Sequence, residues 1–194
     1  MYAKKVETVI PVLDEPVGFD LERGDWVSPY GKGRAPDFVF SFSYSQKPIR
    51  NQGNYEIEMT LGFDSPEDGI QDTYVFVEKW AALSTLRLPY VAPQGGYESV
   101  YRWNMSRIDM QRERSPELRD DQNYIFRVRT KIDENGKIIS ANYGKIHGAI
   151  ETGGYLQDLP RLKFLYYFNP EPNSQNLEFN PDKNLFGGRD RFAP

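Results

Sequence analysis

The chain has 194 residues, with 24 Lys and Arg against 28 Asp and Glu, which gives a net charge of −4. This length fits one domain, and the mild acidity argues against a nucleic-acid-binding protein, which needs a basic face. Because there is no cysteine and only one histidine, the sequence excludes disulfides, thiolate metal sites, cysteine nucleophiles and any site that requires two imidazoles.

The composition favours strands joined by turns. Aromatic residues make up 14% of the chain, and 16 Gly and 14 Pro are spread along it in small clusters. Aromatic and β-branched residues fit a pleated sheet, whereas Gly and Pro interrupt regular elements. Because Gly and Pro are frequent in residues 1–36, we expect an N-terminal arm there, with a short strand over residues 6–12.

Two clear strands are predicted after this arm. Every second residue of the segment 37–44 is aromatic, which is the period of two that is typical of a half-buried strand. The segment 55–63 alternates again, with Glu56, Glu58 and Thr60 opposite its apolar face. We expect these two strands to pair with each other.

The middle of the chain is less regular. We predict strands over residues 73–77, 85–91 and 99–108, and a loop over residues 92–98, which contain one Pro and two Gly. The segment 110–121 is highly charged and contains a Pro. It is therefore predicted to be an exposed loop or one helical turn.

A hairpin is predicted in the second half of the chain. The segments 123–132 and 137–150 both alternate between apolar and polar residues, and the intervening Asn135-Gly136 is a strong hairpin signal because both residues accept the positive φ of a type I′ turn. The alternative is that Gly136 lies in a longer loop. Within the second strand, Gly144 and Gly148 predict a bulge or a close approach of another backbone.

The last predicted strand is the apolar run 162–168. From residue 169 onward the chain is rich in Pro, Asn and Asp, so it should neither form a helix nor enter a central strand. The segment 169–186 nevertheless contains four large apolar residues, for which a solvated tail has no use. We therefore expect this tail to wrap over the domain and to cover a sheet edge or the end of the core. The four residues are Leu177, Phe179, Leu185 and Phe186.

Together these elements predict an all-β fold, an antiparallel β-sandwich of immunoglobulin-like or jelly-roll-like type with an extended C-terminal tail. The predicted organisation is a single sandwich domain over residues 1–186, with the arm at residues 1–36 and the wrapping tail at residues 169–186. Residues 187–194 are predicted to form a flexible C-terminus.

Few patterns suggest catalysis or metal binding. His147 is the only candidate imidazole base, and no Gly-x-Ser-x-Gly elbow accompanies it. Strand alternation places it on one face with Lys145, so we expect a structural or solvent-facing histidine. The acidic segment 64–69 departs from a calcium-binding loop at Pro66 and at Val75, its third and twelfth positions. We predict an acidic turn in this segment, with a loose surface calcium site as the alternative. For the protein as a whole we predict no cofactor.

A carboxylate pair is the catalytic device that the composition leaves open. Glycoside hydrolysis requires only two suitably spaced carboxylates, and the chain has 28 acidic residues. Glu56 and Glu58 are the nearest candidates, although the alternation places them on the face that points to water.

Four aromatic residues around the predicted glycine-rich loop are the candidate ligand-binding residues. Exposed aromatic rings bind sugars, since an apolar ring stacks on the apolar CH face of a sugar while polar neighbours bond its hydroxyl groups. The alternative is that these rings belong to the core or to the edge of the sandwich. The four residues are Tyr90, Tyr97, Tyr101 and Trp103.

Several short runs of the chain are similar to those of one protein group. The runs are Tyr143–Gly148, Phe164–Pro170, Pro172-Asn173, Asn176–Phe179 and Asn184–Phe186, with the earlier run Ser84–Leu88. In them the chain resembles uncharacterised Bacteroidetes-type cell-envelope lipoproteins. The resemblance includes no catalytic motif and implies an N-terminal signal that ends in a lipidated cysteine.

These observations lead to a functional expectation. We expect a non-enzymatic domain, anchored at the envelope or surface, that binds an unknown ligand or partner such as a glycan or an envelope protein. A carboxylate-based glycan hydrolase or a carbohydrate-binding module is the alternative. The sequence has neither a membrane-spanning run nor a secretory signal near Met1, so membrane contact is expected only through a lipid anchor. The expected location is the periplasm or outer surface for a trimmed lipoprotein, and otherwise the cytoplasm.

Overall fold

The alternating segments form two antiparallel sheets in the computed structural model. The structure describes residues 1–46, 54–74, 89–108, 111–115, 119, 121–155 and 158–187. Most of the predicted strand over residues 85–91, and the end of the one over residues 73–77, lie outside these residues.

Eleven strands lie within the described residues. They are β1 (Tyr2–Val9), β2 (Val17–Asp20), β3 (Asp25–Trp26), β4 (Phe38–Gln46), β5 (Tyr55–Gly62), β6 (Gly69–Tyr74), β7 (Tyr101–Ile108), β8 (Gln111–Ser115), β9 (Gln122–Ile132), β10 (Ile138–Tyr155) and β11 (Asp158–Asn169). The five-stranded sheet has the order β1-β11-β10-β9-β6, and the six-stranded sheet has the order β3-β2-β4-β5-β7-β8. One turn of 3-10 helix covers Pro181–Lys183.

The two sheets pack face to face through aromatic side chains. Phe38 of β4 meets Phe126 of β9 edge to face, with ring centroids 5.0 Å apart. Phe19 of β2 meets Phe164 of β11 in the same way at 5.4 Å. Rings in this arrangement gain favourable quadrupole interactions in addition to the burial of their area. The predicted all-β antiparallel sandwich is therefore confirmed.

The segment 1–36, predicted as an arm with one short strand, supplies three strands to the two sheets. β1 pairs with β11 from Tyr2 to Val9, earlier than the expected strand over residues 6–12. Leu21 and Trp26 are buried in the core between the sheets. β2 and β3 have four and two residues, so they are too short for their alternation to be visible in the sequence.

The charged segment 110–121, predicted as a loop, contains β8. This strand pairs with β7 at the edge of the six-stranded sheet, so the expectation of a loop was wrong for residues 111–115. Its side chains are mostly exposed, which removes any need for apolar alternation. Charges on such an edge strand also discourage pairing with other chains.

The predicted hairpin of β9 and β10 is present, but its turn differs from the expected type I′ turn. The Gly136 amide donates to the Asp133 carbonyl, so Glu134 and Asn135 are the central turn residues. Within this turn only Gly136 has a positive φ, at 77°. The geometry is that of a longer hairpin loop closed by a left-handed glycine. The requirement for positive φ therefore falls on Gly136 and not on Asn135.

Both predicted glycine irregularities of β10 are confirmed. Gly148 has a φ of 78°, and the register of β10 against β11 shifts between His147 and Glu151. At Gly144, a side chain would overlap the Phe126 ring and the Tyr167 carbonyl. The absence of a side chain at this position lets the ring lie directly on the strand.

The C-terminal tail lies across the outer face of the five-stranded sheet. Leu177 is buried beside Ile125 of β9 and Tyr143 of β10. Phe179 packs edge to face on Tyr167 of β11, with ring centroids 4.9 Å apart. This tail, together with residues 89–98, forms a third layer outside the sandwich.

The end of the tail closes the edge at β1. The Asn184 side chain accepts a hydrogen bond from the Ala3 amide at 3.1 Å and donates one to the Ala3 carbonyl at 2.9 Å. Phe186 packs against Tyr2 at the end of the core, with ring centroids 5.0 Å apart. Leu185, also predicted as a covering residue, instead points outward and is 54% exposed.

The tail should contribute measurably to stability. Leu177→Ala and Phe179→Ala should each lower the free energy of unfolding by about 2–5 kcal/mol, because each leaves a cavity against the sheet. Leu185→Ala is the matched control and should change this free energy by less than about 0.5 kcal/mol. Urea denaturation measures all three. An unchanged unfolding free energy in Leu177→Ala would show that the tail is not packed on the sheet.

Candidate functional site

The structure separates the four aromatic residues that were predicted to bind a ligand. Trp103 is 8% exposed and belongs to the core between the sheets. Tyr101 packs edge to face on Trp103 and on Tyr124, with centroids 5.4 Å apart in both pairs. Tyr97 lies on the outer face of the five-stranded sheet, and Tyr90 is 50% exposed. The four rings therefore do not form one binding platform.

Arg127 of β9 anchors the loop that holds Tyr90 and Tyr97. Its Nε donates to the Glu67 carbonyl at 3.0 Å, and its Nη1 donates to the Gln94 carbonyl at 3.0 Å. Its guanidinium lies 4.7 Å from the centroid of the Tyr97 ring. Carbonyl hydrogen bonds and the aromatic face compensate the burial of this cation. The loop is thereby fixed to the outer face of the five-stranded sheet.

The same loop pairs with the tail. The Ala92 amide donates to the Gln175 carbonyl at 2.8 Å, and the Leu177 amide donates to the Tyr90 carbonyl at 2.8 Å. We call residues 89–98 and 173–179 together the loop–tail layer. Tyr90 and Val91, which is 62% exposed, lie on the outer side of this layer, while Ala92 and Leu177 are buried beneath it. Two apolar side chains are thus held in solvent by a hydrogen-bonded backbone.

A buried lysine lies under the loop–tail layer. Lys145 of β10 is 2% exposed. It is paired in register with Tyr167 on one side and with Ile125 on the other, and its Nζ lies 5.4 Å from the Tyr167 ring centroid. Burial lowers the pKa of Lys145 to about 8, and the charge of Glu178 opposes this shift.

Two more groups on this face are electrostatically unusual. The Tyr167 hydroxyl is buried and has no hydrogen-bond partner in the part of the chain that the structure describes. His147 is exposed on the same face as Lys145, as the alternation predicted. The His147 ring is still partly shielded from water, and this partial desolvation and the neighbouring charge of Lys145 both lower its pKa. The single imidazole therefore lies beside an amine.

An ion pair between the buried Asp37 and the partly exposed Arg129 joins the two sheets. Asp37, which precedes β4, accepts two hydrogen bonds from Arg129 of β9, at 2.6 and 2.9 Å, and one from the Leu21 amide at 2.9 Å. Arg129 also donates to Glu22. Burial raises the pKa of Asp37 and the Arg129 guanidinium opposes this rise. These contacts use both carboxylate oxygens of Asp37 for structure.

Two other buried carboxylates organise loops. Both oxygens of Asp68 accept backbone hydrogen bonds, from Arg129 at 3.0 Å and from Thr130 at 2.8 Å, so this residue of the acidic turn is held against β9. Burial opposes the ionisation of Asp20, but four backbone hydrogen bonds hold its pKa below the usual range. The four donors are the amides of Glu22, Arg23, Arg34 and Ala35.

The carboxylates suggested for glycoside hydrolysis lie elsewhere. Glu56 and Glu58 are exposed on the outer face of the six-stranded sheet, and Asp20, Asp37 and Asp68 serve structural partners. The described residues contain no group of three or more His, Asp or Glu side chains arranged for a metal ion. Among the same residues, no helix has the length and hydropathy that crossing a membrane requires.

Comparison of the chain with protein-family models, with curated proteins and with solved structures found no match. The candidate sites therefore rest on their geometry. They are the exposed pair of Tyr90 and Val91, and the buried pair of Lys145 and Tyr167 on the outer face of the five-stranded sheet.

Sequence reasoning missed the role of three residues on the outer face. In β9 and β10, Arg127 and Lys145 alternate with apolar residues, which is typical of side chains that point to solvent. Tyr167 stands inside an apolar run that indicates a core strand. The available signal was the apolar pair Leu177 and Phe179 in the tail, because these residues require a second surface to cover.

Lys145 should give the protein an unusual dependence of stability on pH. Its folded-state pKa of about 8 lies below its ordinary value of 10.5, so between these pH values the unfolded chain binds more protons. The free energy of unfolding should therefore rise across this interval, by an amount on the order of 3 kcal/mol. Urea denaturation at several pH values in carboxylate-free buffer measures it.

The control for this experiment is Lys145→Met. The variant removes the titrating group while keeping a side chain of similar length. Its free energy of unfolding should therefore not rise over this pH interval, and at pH 7 it should exceed that of the wild type. The same alkaline rise in Lys145→Met would show that another group causes it.

Proposed function

We propose that the protein is a non-catalytic binding domain of the cell envelope whose ligand docks on Tyr90 and Val91. The observation that carries this proposal is the rigid presentation of two exposed apolar side chains. Tyr90 is 50% exposed and Val91 is 62% exposed, while their backbone is tied to the tail by hydrogen bonds of 2.8 Å. Exposed apolar groups on a well-anchored loop are typical of binding surfaces.

The ring of Tyr90 favours a glycan as the ligand. An exposed tyrosine offers an apolar face for the CH groups of a sugar and a hydroxyl that bonds its oxygens. Arg127 contacts Tyr97 and the Gln94 carbonyl and so holds the loop in place before a ligand arrives. Binding therefore loses little conformational entropy of the loop. An envelope protein that packs on the same two residues is the alternative partner.

Catalysis by a carboxylate pair receives no support from the described residues. The buried acids Asp37 and Asp68 accept hydrogen bonds with both oxygens. A hydrolase needs one carboxyl group to give up a proton and another to attack or to activate water. Groups saturated by structural donors are poorly suited to either role.

The binding surface is tested by Tyr90→Ala with a panel of soluble β-glucan, xylan, mannan and peptidoglycan fragments. Calorimetric titration should detect one of these ligands, and Tyr90→Ala should weaken its binding by about tenfold or more. Tyr30→Ala is the matched control, because Tyr30 is 43% exposed at another place on the surface. Equal affinity in wild type and Tyr90→Ala would rule out this surface, and failure of the whole panel would favour a protein partner.

The envelope location rests on the resemblance to envelope lipoproteins and is tested separately. Cells that express the native gene should incorporate a palmitate analogue into its product, and the product should fractionate with membranes. A product found only in the cytoplasmic fraction, without label, would contradict the location and would leave the binding experiment unaffected.

A further inference from the structure

The tail places an asparagine directly beside Val91. Val91 and Asn176 are paired in an antiparallel bridge, which is closed on each side by the two hydrogen bonds of 2.8 Å between the loop and the tail. In a bridge of this kind the two paired residues do not bond each other, and their side chains lie on one face, closer together than in a hydrogen-bonded pair. Both residues are exposed. An apolar group and a carboxamide therefore share one place on the surface.

The Asn176 carboxamide has a fixed orientation. Its Oδ1 accepts a hydrogen bond of 2.9 Å from the Glu178 amide, and the Asn176 carbonyl accepts one of 2.9 Å from the Asn169 Nδ2. Because the oxygen and the nitrogen of a carboxamide diverge from one carbon, the bonded oxygen also determines where the nitrogen lies. Asn176 thus holds the two N–H donors of its Nδ2 in place next to Val91.

Glu178 supplies a hydrogen-bond acceptor on the same face. Residues 176–180 alternate between exposed and buried, with Leu177 and Phe179 on the buried side. Because residues two apart in an extended chain line one face, Glu178 follows Asn176 on the outer side of the loop–tail layer. An ionised carboxylate only accepts hydrogen bonds. The surface therefore offers an apolar contact, a donor and an acceptor at neighbouring positions.

We propose that the glycan which docks on this surface carries N-acetylated amino sugars and that Val91, Asn176 and Glu178 recognise its acetamido group, an assignment that rests on the proposed function of this surface. An acetamido group has a methyl group, a carbonyl acceptor and an N–H donor on adjacent atoms. The methyl group packs on Val91, the carbonyl accepts from the Asn176 Nδ2, and the N–H donates to the Glu178 carboxylate. A hydroxyl group in its place has no methyl group for Val91 and is too small to span the donor and the acceptor.

Calorimetric titration with two uncharged tetramers tests this site. One is a tetramer of β-linked N-acetylglucosamine, and the other is the matching tetramer of glucose, which has a hydroxyl in place of each acetamido group. The protein should bind the N-acetylated tetramer more tightly by about tenfold or more. Asn176→Asp keeps an oxygen for the Glu178 amide but loses both N–H donors, so it should abolish this preference.

Asn180→Asp is the matched control. Asn180 is exposed on the same side of the tail, and its side chain accepts a hydrogen bond of 2.9 Å from the Asp182 amide, as that of Asn176 does from Glu178. The change introduces the same charge into the same kind of turn, away from Val91. Asn180→Asp should therefore bind both tetramers like the wild type.

Saturation-transfer NMR observes the apolar contact directly. The acetyl methyl protons of the bound tetramer should receive the strongest saturation from the protein, because they lie against Val91. In Val91→Ala this methyl signal should fall relative to those of the sugar ring. Ring protons that are saturated more strongly than the methyl protons in the wild type would contradict the proposed orientation of the acetamido group.

The results separate the acetamido site from the binding surface itself. Equal affinities for the two tetramers, binding of neither, or a preference kept in Asn176→Asp would each overturn the acetamido site. If Tyr90→Ala still weakens both tetramers when their affinities are equal, the proposed function stands without it. A preference that depends on Asn176 and is unchanged in Tyr90→Ala would support the acetamido site and contradict docking on Tyr90.

Discussion

The five-stranded sheet has two apolar faces, and this constraint accounts for much of the architecture. In β11 the successive residues Tyr166 and Tyr167 are both fully buried, although they point to opposite faces. In β9 the same holds for Ile125 and Phe126. The sequence of a strand that is buried on both faces is a nearly continuous run of apolar residues. Such a sheet needs cover on its outer face as well as on the face that forms the sandwich core.

The loop–tail layer provides this cover, and it has opposite consequences for the two cations beneath it. Arg127 finds carbonyl acceptors at Glu67 and Gln94 and an aromatic ring at Tyr97, so its burial is compensated. Among the described residues, the Lys145 ammonium has a ring contact with Tyr167, and the charge of Glu178 favours its charged form. A planar guanidinium with five donors suits a layer built of carbonyls, whereas a compact ammonium needs a nearby anion. This asymmetry makes Lys145 the chemically notable residue of the outer face.

The features that sequence reasoning predicted are those encoded in neighbouring residues. The alternation of β4 and β5 showed both strands, their inner faces and their pairing. The glycines of β10 indicated the bulge and the close approach of Phe126. Errors arose where the determining partner is distant in sequence. β8 depends on pairing with β7, and β2 and β3 are too short to show a period.

The candidate site was harder to predict for the same reason. Lys145 alternates like a solvent-facing residue, and its burial results from a tail more than thirty residues further along the chain. The predicted aromatic cluster was separated because β7 turns Tyr101 and Trp103 into the core, whereas Tyr97 and Tyr90 precede that strand and lie outside it. Residues that are close in sequence were thus divided between two sides of the molecule.

The Asn184 amide at the edge of β1 has a further consequence for the behaviour of many copies in solution. With its carbonyl oxygen on the Ala3 amide and its nitrogen on the Ala3 carbonyl, one side chain imitates a residue of a neighbouring strand. This occupies part of the hydrogen-bonding edge on which another molecule could add a strand, which is the first step of polymerisation through sheets. The tail therefore covers a part of this sheet edge at which a second molecule would otherwise find free backbone donors and acceptors.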